Sequence, residues 1–187
     1  MSAGELDKIR EQAVFGLSGV VLEVGFGSGL NVPLYPAGVG RVLAVEPAPV
    51  ARRLAAKRIA ASPVPVEYVG LGAQSLPLGT ESVDHVLTTW TLCTIPEVSD
   101  ALGEMHRVLR PGGQLHFAEH GRSPDPSVAR WQDRLTPLQR ALAGGCHLNR
   151  PIDKLIEAAG FHMARLENFY MKGPKWTSYM YVGVAVK

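Results

Sequence analysis

The run Val20-Val21-Leu22-Glu23-Val24 leads straight into Gly25-Phe26-Gly27-Ser28-Gly29-Leu30. Apolar, largely β-branched residues that end in glycines at alternate positions read as a buried strand stopping in a tight turn. Gly25 and Gly27 let the backbone bend and let a ligand approach with no Cβ in the way. Gly29 falls where a short helix starts against the sheet. The free N–H groups of such a turn favour a polar or negatively charged ligand group. Two cofactor classes use a turn of this kind. A dinucleotide fingerprint needs its third small residue at position 30. Position 30 is Leu, and the third glycine comes one place early, at Gly29.

The chain has 187 residues, enough for one domain with a sizeable core and too few for two of ordinary size. With 46% hydrophobic and 19% charged residues it is globular. A net charge of +2, with no long run of Lys or Arg, argues against a dedicated nucleic-acid binder. Cys93 and Cys146 cannot build a disulfide framework, and no C-x-x-C pair suggests zinc. No apolar run approaches the length that spans a bilayer. Residues 1–8 lack the apolar core of a signal peptide. The expectation is a soluble, cytoplasmic, single-domain protein.

Residues 5–17 place Leu6, Ile9, Ala13, Phe15 and Leu17 between charges, which predicts an amphipathic helix over the sheet edge or the ligand mouth. Strands are expected at 20–25, 41–46, 64–69, 83–89 and 114–120, the third at an outer position because Pro65 is best tolerated near an edge. Helices are expected at 48–61 and 97–109, the second stopped by Arg110-Pro111-Gly112-Gly113. Strand and helix thus alternate, calling for a parallel sheet with helices on both faces. The last third reads as a helix over 127–143 kinked or broken at Pro137, a helix over 151–159 closed by Gly160, and a hairpin of strands 161–170 and 177–186. The chain divides into an N-terminal helix (1–18), a core (19–120), and a lid with closing hairpin (121–187).

Ligands of open α/β sheets bind at the carboxyl ends of the strands. The second strand ends at Glu46, about twenty residues beyond the glycines, where a carboxylate can accept both ribose hydroxyls. The third leads into Gly72-Ala73-Gln74-Ser75-Leu76-Pro77, and the fourth ends in Thr88-Thr89-Trp90-Thr91-Leu92-Cys93.

Glu23-x-Gly25-x-Gly27-x-Gly29, the acidic end of the second strand, Gln74-Ser75-Leu76-Pro77, Ser82-Val83-Asp84-His85-Val86 and Glu104 to Gly113 stand in series. Residues 20–120 thereby resemble class I S-adenosylmethionine (SAM) methyltransferases. Thr91-Leu92-Cys93, Phe117 to His120, Gly145 to Arg150 and Tyr181 to Lys187 are similar to small methyltransferase-like proteins whose animal members are microsomal alkyl-thiol methyltransferases. The resemblance implies a Rossmann-like, seven-stranded, mostly parallel sheet of order 3-2-1-4-5-7-6 with the last strand antiparallel. It implies SAM as cofactor, with Glu23 bracing the turn from beneath and Gly25, Gly27 and Gly29 near its methionine part. Glu46 then meets the ribose, Ala73, Gln74 and Ser75 belong to the adenine loop, and Pro47, Thr89 and Trp90 complete the cofactor-binding set. The family's Asp-Ala-Glu-x-Leu-Pro loop is altered here to Gly72 and Gln74, so backbone groups of Ala73 or the Gln74 amide take over the adenine.

SAM presents a methyl group already activated on a sulfonium, so the protein must hold a nucleophile in line and strip its water. The expected partner is a small, rather apolar methyl acceptor, a thiol first. Free thiols titrate near 8.5, so a histidine suffices as base, and His120 and His147 are the candidates. A quinone, phenol or lipid headgroup is the alternative acceptor; non-catalytic SAM binding and nicotinamide-dependent reduction are the rivals. Thr88-Thr89-Trp90-Thr91 lacks the Asn/Asp-Pro-Pro-Tyr/Phe pattern that goes with methylation of base amines. His116, Ala118 and His120 share a strand face, but without a third convergent ligand no metal is expected. Trp131, Cys146, Asn149 and Arg150, with Lys175 and Tyr179, are the expected substrate-lid residues.

Overall fold

The computed structural model describes residues 3–142 and 144–187. Its elements are α1 (Ala3–Val14), β1 (Gly19–Val24), a 3-10 turn (Val32–Leu34), β2 (Val39–Val45), α2 (Pro49–Ala60), β3 (Val66–Gly70), β4 (Val83–Thr89), α3 (Val98–Val108), β5 (Leu109–His120), α4 (Pro126–Leu142), α5 (Ile152–Ala158), β6 (His162–Tyr170), α6 (Lys175–Ser178) and β7 (Tyr179–Val186). The seven strands form one sheet of order β3-β2-β1-β4-β5-β7-β6. β1 pairs in parallel with β2 on one side and β4 on the other, and β7 is antiparallel to both its neighbours.

Alternation along β1 explains the two cores. Leu22 and Val24 face a layer closed by α3 and α5, with Leu102, Met105, Ile152 and Ile156. Val21 faces the opposite layer, where Ile9, Ala13 and Leu17 cover Leu87, Ala118 and Val182. The central strands are buried on both sides, which is why they read as continuous apolar runs.

Several boundaries differ from the pattern-based expectation. α1 ends at Val14 rather than 17, because Gly16 turns to a positive φ of 86°. β5 begins at Leu109, five residues early: Leu109 pairs with Val83, and the Arg110–Gly113 stop signal is absorbed as an irregular extended stretch. α4 runs through Pro137. The missing proline N–H leaves the Asp133 carbonyl without its helical donor, while Thr136 Oγ1 donates to the Gln132 carbonyl at 2.7 Å in the same turn. A single helical turn, α6, stands between β6 and β7 where a plain hairpin was expected. Among the described residues no helix is long and apolar enough to cross a membrane.

Candidate functional site

Chain connections leave β1 toward β2 on one side and arrive at β4 on the other, so a crevice opens at their carboxyl ends. Its volume is about 660 Å³, within the range of small-molecule sites. The glycine turn forms its floor. The N–H groups of Gly25 and Phe26 both donate to the Val45 carbonyl, at 3.0 and 3.1 Å. A Cβ on Gly25 would run into the Thr91 side chain, so this glycine lets two loops meet. A Cβ on Gly27 would meet nothing nearer than the Gly25 carbonyl at 3.8 Å, so this one keeps the floor open. Gly29 is turned away from the crevice; its Cβ position is hemmed in by Val32, Ala55 and Phe26, at 3.2–3.3 Å. All three have φ between 59° and 76°, the region that glycine enters without penalty.

Glu46 sits on the wall, 7% exposed. Its Oε2 accepts the Gly27 N–H at 2.7 Å and its Oε1 the Ala48 N–H at 2.8 Å. The carboxylate is thereby fixed in orientation, with one lone pair per oxygen still free. Arg52 supports it from behind, donating through Nε to the Glu46 carbonyl at 2.7 Å and lying over the Tyr68 ring at 4.4 Å.

Glu23 lies beneath the turn, 1% exposed and off the crevice wall. It accepts from Asn31 Nδ2 at 2.8 Å and from the Tyr35 hydroxyl. Burial raises its pKa to about 7, against the opposing pull of Tyr35, Asn31 and Arg10. Asn31 also donates to Thr89 Oγ1 at 3.1 Å. Arg10 completes the chain: it donates to Asn31 Oδ1 and Thr89 Oγ1 at 3.0 and 3.1 Å and lies over the Trp90 ring at 4.8 Å. Thr89, Trp90 and Arg10 all reach the wall. Arg10 was not singled out in the sequence; the amphipathic pattern placed its helix near the mouth, but only packing brings this side chain in. Trp90 has φ 51°, a conformation that costs a non-glycine residue about 1 kcal/mol or more and collects at functional sites.

Pro47, Ala73 and Gln74 line the far end with Leu71 and Ile95, while Ser75 is exposed and off the wall. The Gln74 amide donates to Glu97 Oε2 at 3.1 Å, leaving main chain and apolar surface toward the crevice.

His120 and His147 stand behind the wall, not on it. His147 meets the Cys93 carbonyl twice, through its main-chain N–H at 2.8 Å and Nδ1 at 3.2 Å. His120 Nε2 lies 2.9 Å from Cys146 Sγ. Cys93 and Cys146 interact closely: Cys93 first and then His120 lower the Cys146 pKa, while that of Cys93 rises. Glu119, fully buried, accepts the Thr91 N–H with both oxygens at 3.0 and 2.8 Å, and burial raises it to about 7.

The expected lid residues turn out to be spread through the scaffold. Arg150 is buried and donates to the Leu92 and Pro96 carbonyls. Asn149 donates to Asp133 at 2.9 Å. Trp131 is 54% exposed. Lys175 lies over Tyr170, and Tyr179 packs edge-on against Tyr170 and Tyr181. None of these, nor Cys146, lines the crevice; from this segment Gly144 does.

A family model described as a methyltransferase domain matches residues 22–117. The chain is 37% identical over 152 residues to thiol S-methyltransferase TMT1B of Rattus norvegicus, covering 79% of this chain and 62% of that protein. It is 35% identical over 152 residues to thiol S-methyltransferase TMT1A of Homo sapiens, with coverages of 79% and 62%. The chain therefore spans about six-tenths of the length of these relatives. Its fold matches an S-adenosylmethionine-dependent methyltransferase from Mesorhizobium loti with a TM-score of 0.70 at 18% identity, over 100% of this chain and 99% of that one.

Proposed function

The chain belongs to the class I SAM-dependent methyltransferases, and from that premise we propose that it transfers the methyl group of SAM to the sulfur of a small, rather apolar thiol. When bound, SAM supplies a methyl group on a positively charged sulfur, which needs no further activation. The residues of the crevice suit such a ligand. Gly27 keeps open the space that a Cβ would fill, where the methionine part can lie. Glu46, held by two N–H groups, keeps lone pairs for two ribose hydroxyls. Arg10, the one cation on the wall among the described residues, suits the α-carboxylate. Leu71, Ala73 and Ile95 offer an apolar slot for adenine.

The acceptor approaches a wall built from Trp90, Thr94 and Gly144. This surface is short of ionic groups, which favours an acceptor with an apolar body. A thiol near its ordinary pKa of about 8.5 ionises with little help at neutral pH, so the absence of His120 and His147 from the wall is no obstacle. The observation that carries the thiol reading is the identity to proteins named for thiol S-methylation across most of this chain.

The test is transfer of radiolabelled methyl from SAM to a panel of alkyl thiols, phenols, quinols and phosphatidylethanolamine vesicles. Label appearing in the thioether, and in that product foremost, is the expected result. Transfer confined to a quinol or an amine headgroup replaces the thiol by that acceptor. Tight binding of SAM with transfer to none of them makes the protein a SAM-binding module.

A further inference from the structure

Three side chains far apart in sequence converge behind the crevice: Cys93 in the loop after β4, His120 at the end of β5 and Cys146 in the loop after α4. Cys93 Sγ, a ring nitrogen of His120 and Cys146 Sγ all lie within 4.8 Å of one another. We propose that these three residues form a zinc site. Two thiolates and one imidazole are a donor set that zinc takes, with one tetrahedral position left for water or an added thiol.

Geometry, charge and support agree with this. Zinc–sulfur bonds of about 2.3 Å and zinc–nitrogen bonds of about 2.0–2.1 Å put tetrahedral ligand atoms roughly 3.5–3.8 Å apart. His120 Nε2 and Cys146 Sγ, now at 2.9 Å, would open by under about 1 Å to reach that separation. The widest pair in the cluster, no more than 4.8 Å apart, would close by about the same amount. Side-chain rotation supplies such changes while the backbone stays in place.

The backbone is held on each side. Arg150 grips the Cys93 loop through the Leu92 and Pro96 carbonyls, the His147 N–H donates to the Cys93 carbonyl at 2.8 Å, and His120 pairs with Met180 across β5 and β7. Cys93 and Cys146 are 2% and 6% exposed. Two buried thiols this close cannot both ionise without a counter-charge. A divalent cation with two thiolates and a neutral imidazole sums to zero. The buried Arg150 guanidinium beside the pair adds positive charge that favours the thiolates.

A disulfide between the two cysteines would leave the imidazole, aimed at Cys146 Sγ, without a role; a metal uses all three groups. Glu119 does not complete the shell: its carboxylate is outside the group of donor atoms that lie within 4.8 Å of one another, and it accepts the Thr91 N–H instead. The ion would pin the segment after α4, which carries the wall residue Gly144, to the β4 loop, which carries Thr91 and Thr94. It would also make His120 a ligand in place of the base that the sequence suggested. Nothing in this inference depends on which acceptor is methylated.

The test uses tag-free full-length protein purified with a phosphine reductant and no chelator. Elemental analysis should find about one zinc per chain. Stripping it with a chelator should lower Tm, and Zn2+ but not Mg2+ should restore it. Co2+ added to the stripped protein should give thiolate-to-cobalt charge-transfer absorption. Cys93→Ser and Cys146→Ser should each remove about half of that band, whereas His120→Ala should keep it and change the ligand-field bands. Circular dichroism confirms that each variant is folded, and His162→Ala, on exposed β6, should retain the ion. A wild-type protein that holds no zinc and gives no cobalt–thiolate absorption overturns the proposal. So does an absorption unaltered by both cysteine variants, or a Cys93–Cys146 disulfide found by mass spectrometry in place of metal.

Discussion

Gly25 and Gly27 share a backbone conformation and differ in what surrounds them. Beside Gly25 the Thr91 side chain already fills the space of a Cβ; beside Gly27 the space belongs to the crevice. Gly25→Ala should therefore destabilise the fold by about 1–3 kcal/mol or more, from overpacking added to the positive-φ penalty. Gly27→Ala should cost only the φ penalty of about 1 kcal/mol in stability while sharply weakening S-adenosylhomocysteine. Denaturant unfolding and titration calorimetry on the two variants separate these outcomes. Glu46→Ala should weaken the same ligand by about 1–3 kcal/mol, the range for a lost charged hydrogen-bonding partner. Unchanged affinity by calorimetry would remove Glu46 from the ribose role.

α1 is the element through which acid reaches the site. His116 on β5 lies beneath it, and Nδ1 donates to the Ala13 carbonyl at 3.0 Å. Burial, with His85 against its ring at 5.2 Å, lowers the His116 pKa from 6.5 to about 4. The unfolded chain thus takes up this proton first as pH falls. The contribution is intact above 6.5 and is lost progressively down to about 4. Its size is roughly 3 kcal/mol at most, from the shift in pKa. His116→Asn, which keeps a donor toward Ala13, should flatten the stability profile over that window in chemical denaturation. Glu23, raised to about 7 from 4.5 by burial, works in the opposite sense, its stabilisation fading as pH rises between those values. The difference between wild type and variant isolates the histidine. Because α1 also carries Arg10, the same acidification should loosen ligand binding before global unfolding.

For the molecule as a whole, binding at the switch point couples both halves of the sheet, β3-β2-β1 and β4-β5-β7-β6, through one ligand. S-adenosylhomocysteine at about one hundred times its Kd should add about 2.7 kcal/mol to stability. In a domain of this size that raises Tm by roughly 5–11 °C, at about 2–4 °C per kcal/mol. NADH should give no shift; the reverse result in a thermal scan would restore the dinucleotide reading of the glycine turn.

The order of strands and helices apart from the single turn α6, the glycine turn and the placing of Glu46 at a strand end were legible in the chain because each rests on local signals. Those signals are a run of β-branched residues, glycines at alternate places, and a carboxylate at a strand end about twenty residues on. Resemblance extended them to the strand order and the cofactor. Tertiary structure decided the rest. It turned Gly29 and Ser75 off the wall, carried Arg10 in from a helix that pattern could place only near the mouth, sank Arg150 into the scaffold, and brought Cys93, His120 and Cys146 together. The physical reason is range. Dihedral preference and hydrophobic period act over a few residues, whereas a contact between positions 93 and 146 or 10 and 89 exists only after two cores have closed on opposite faces of the sheet.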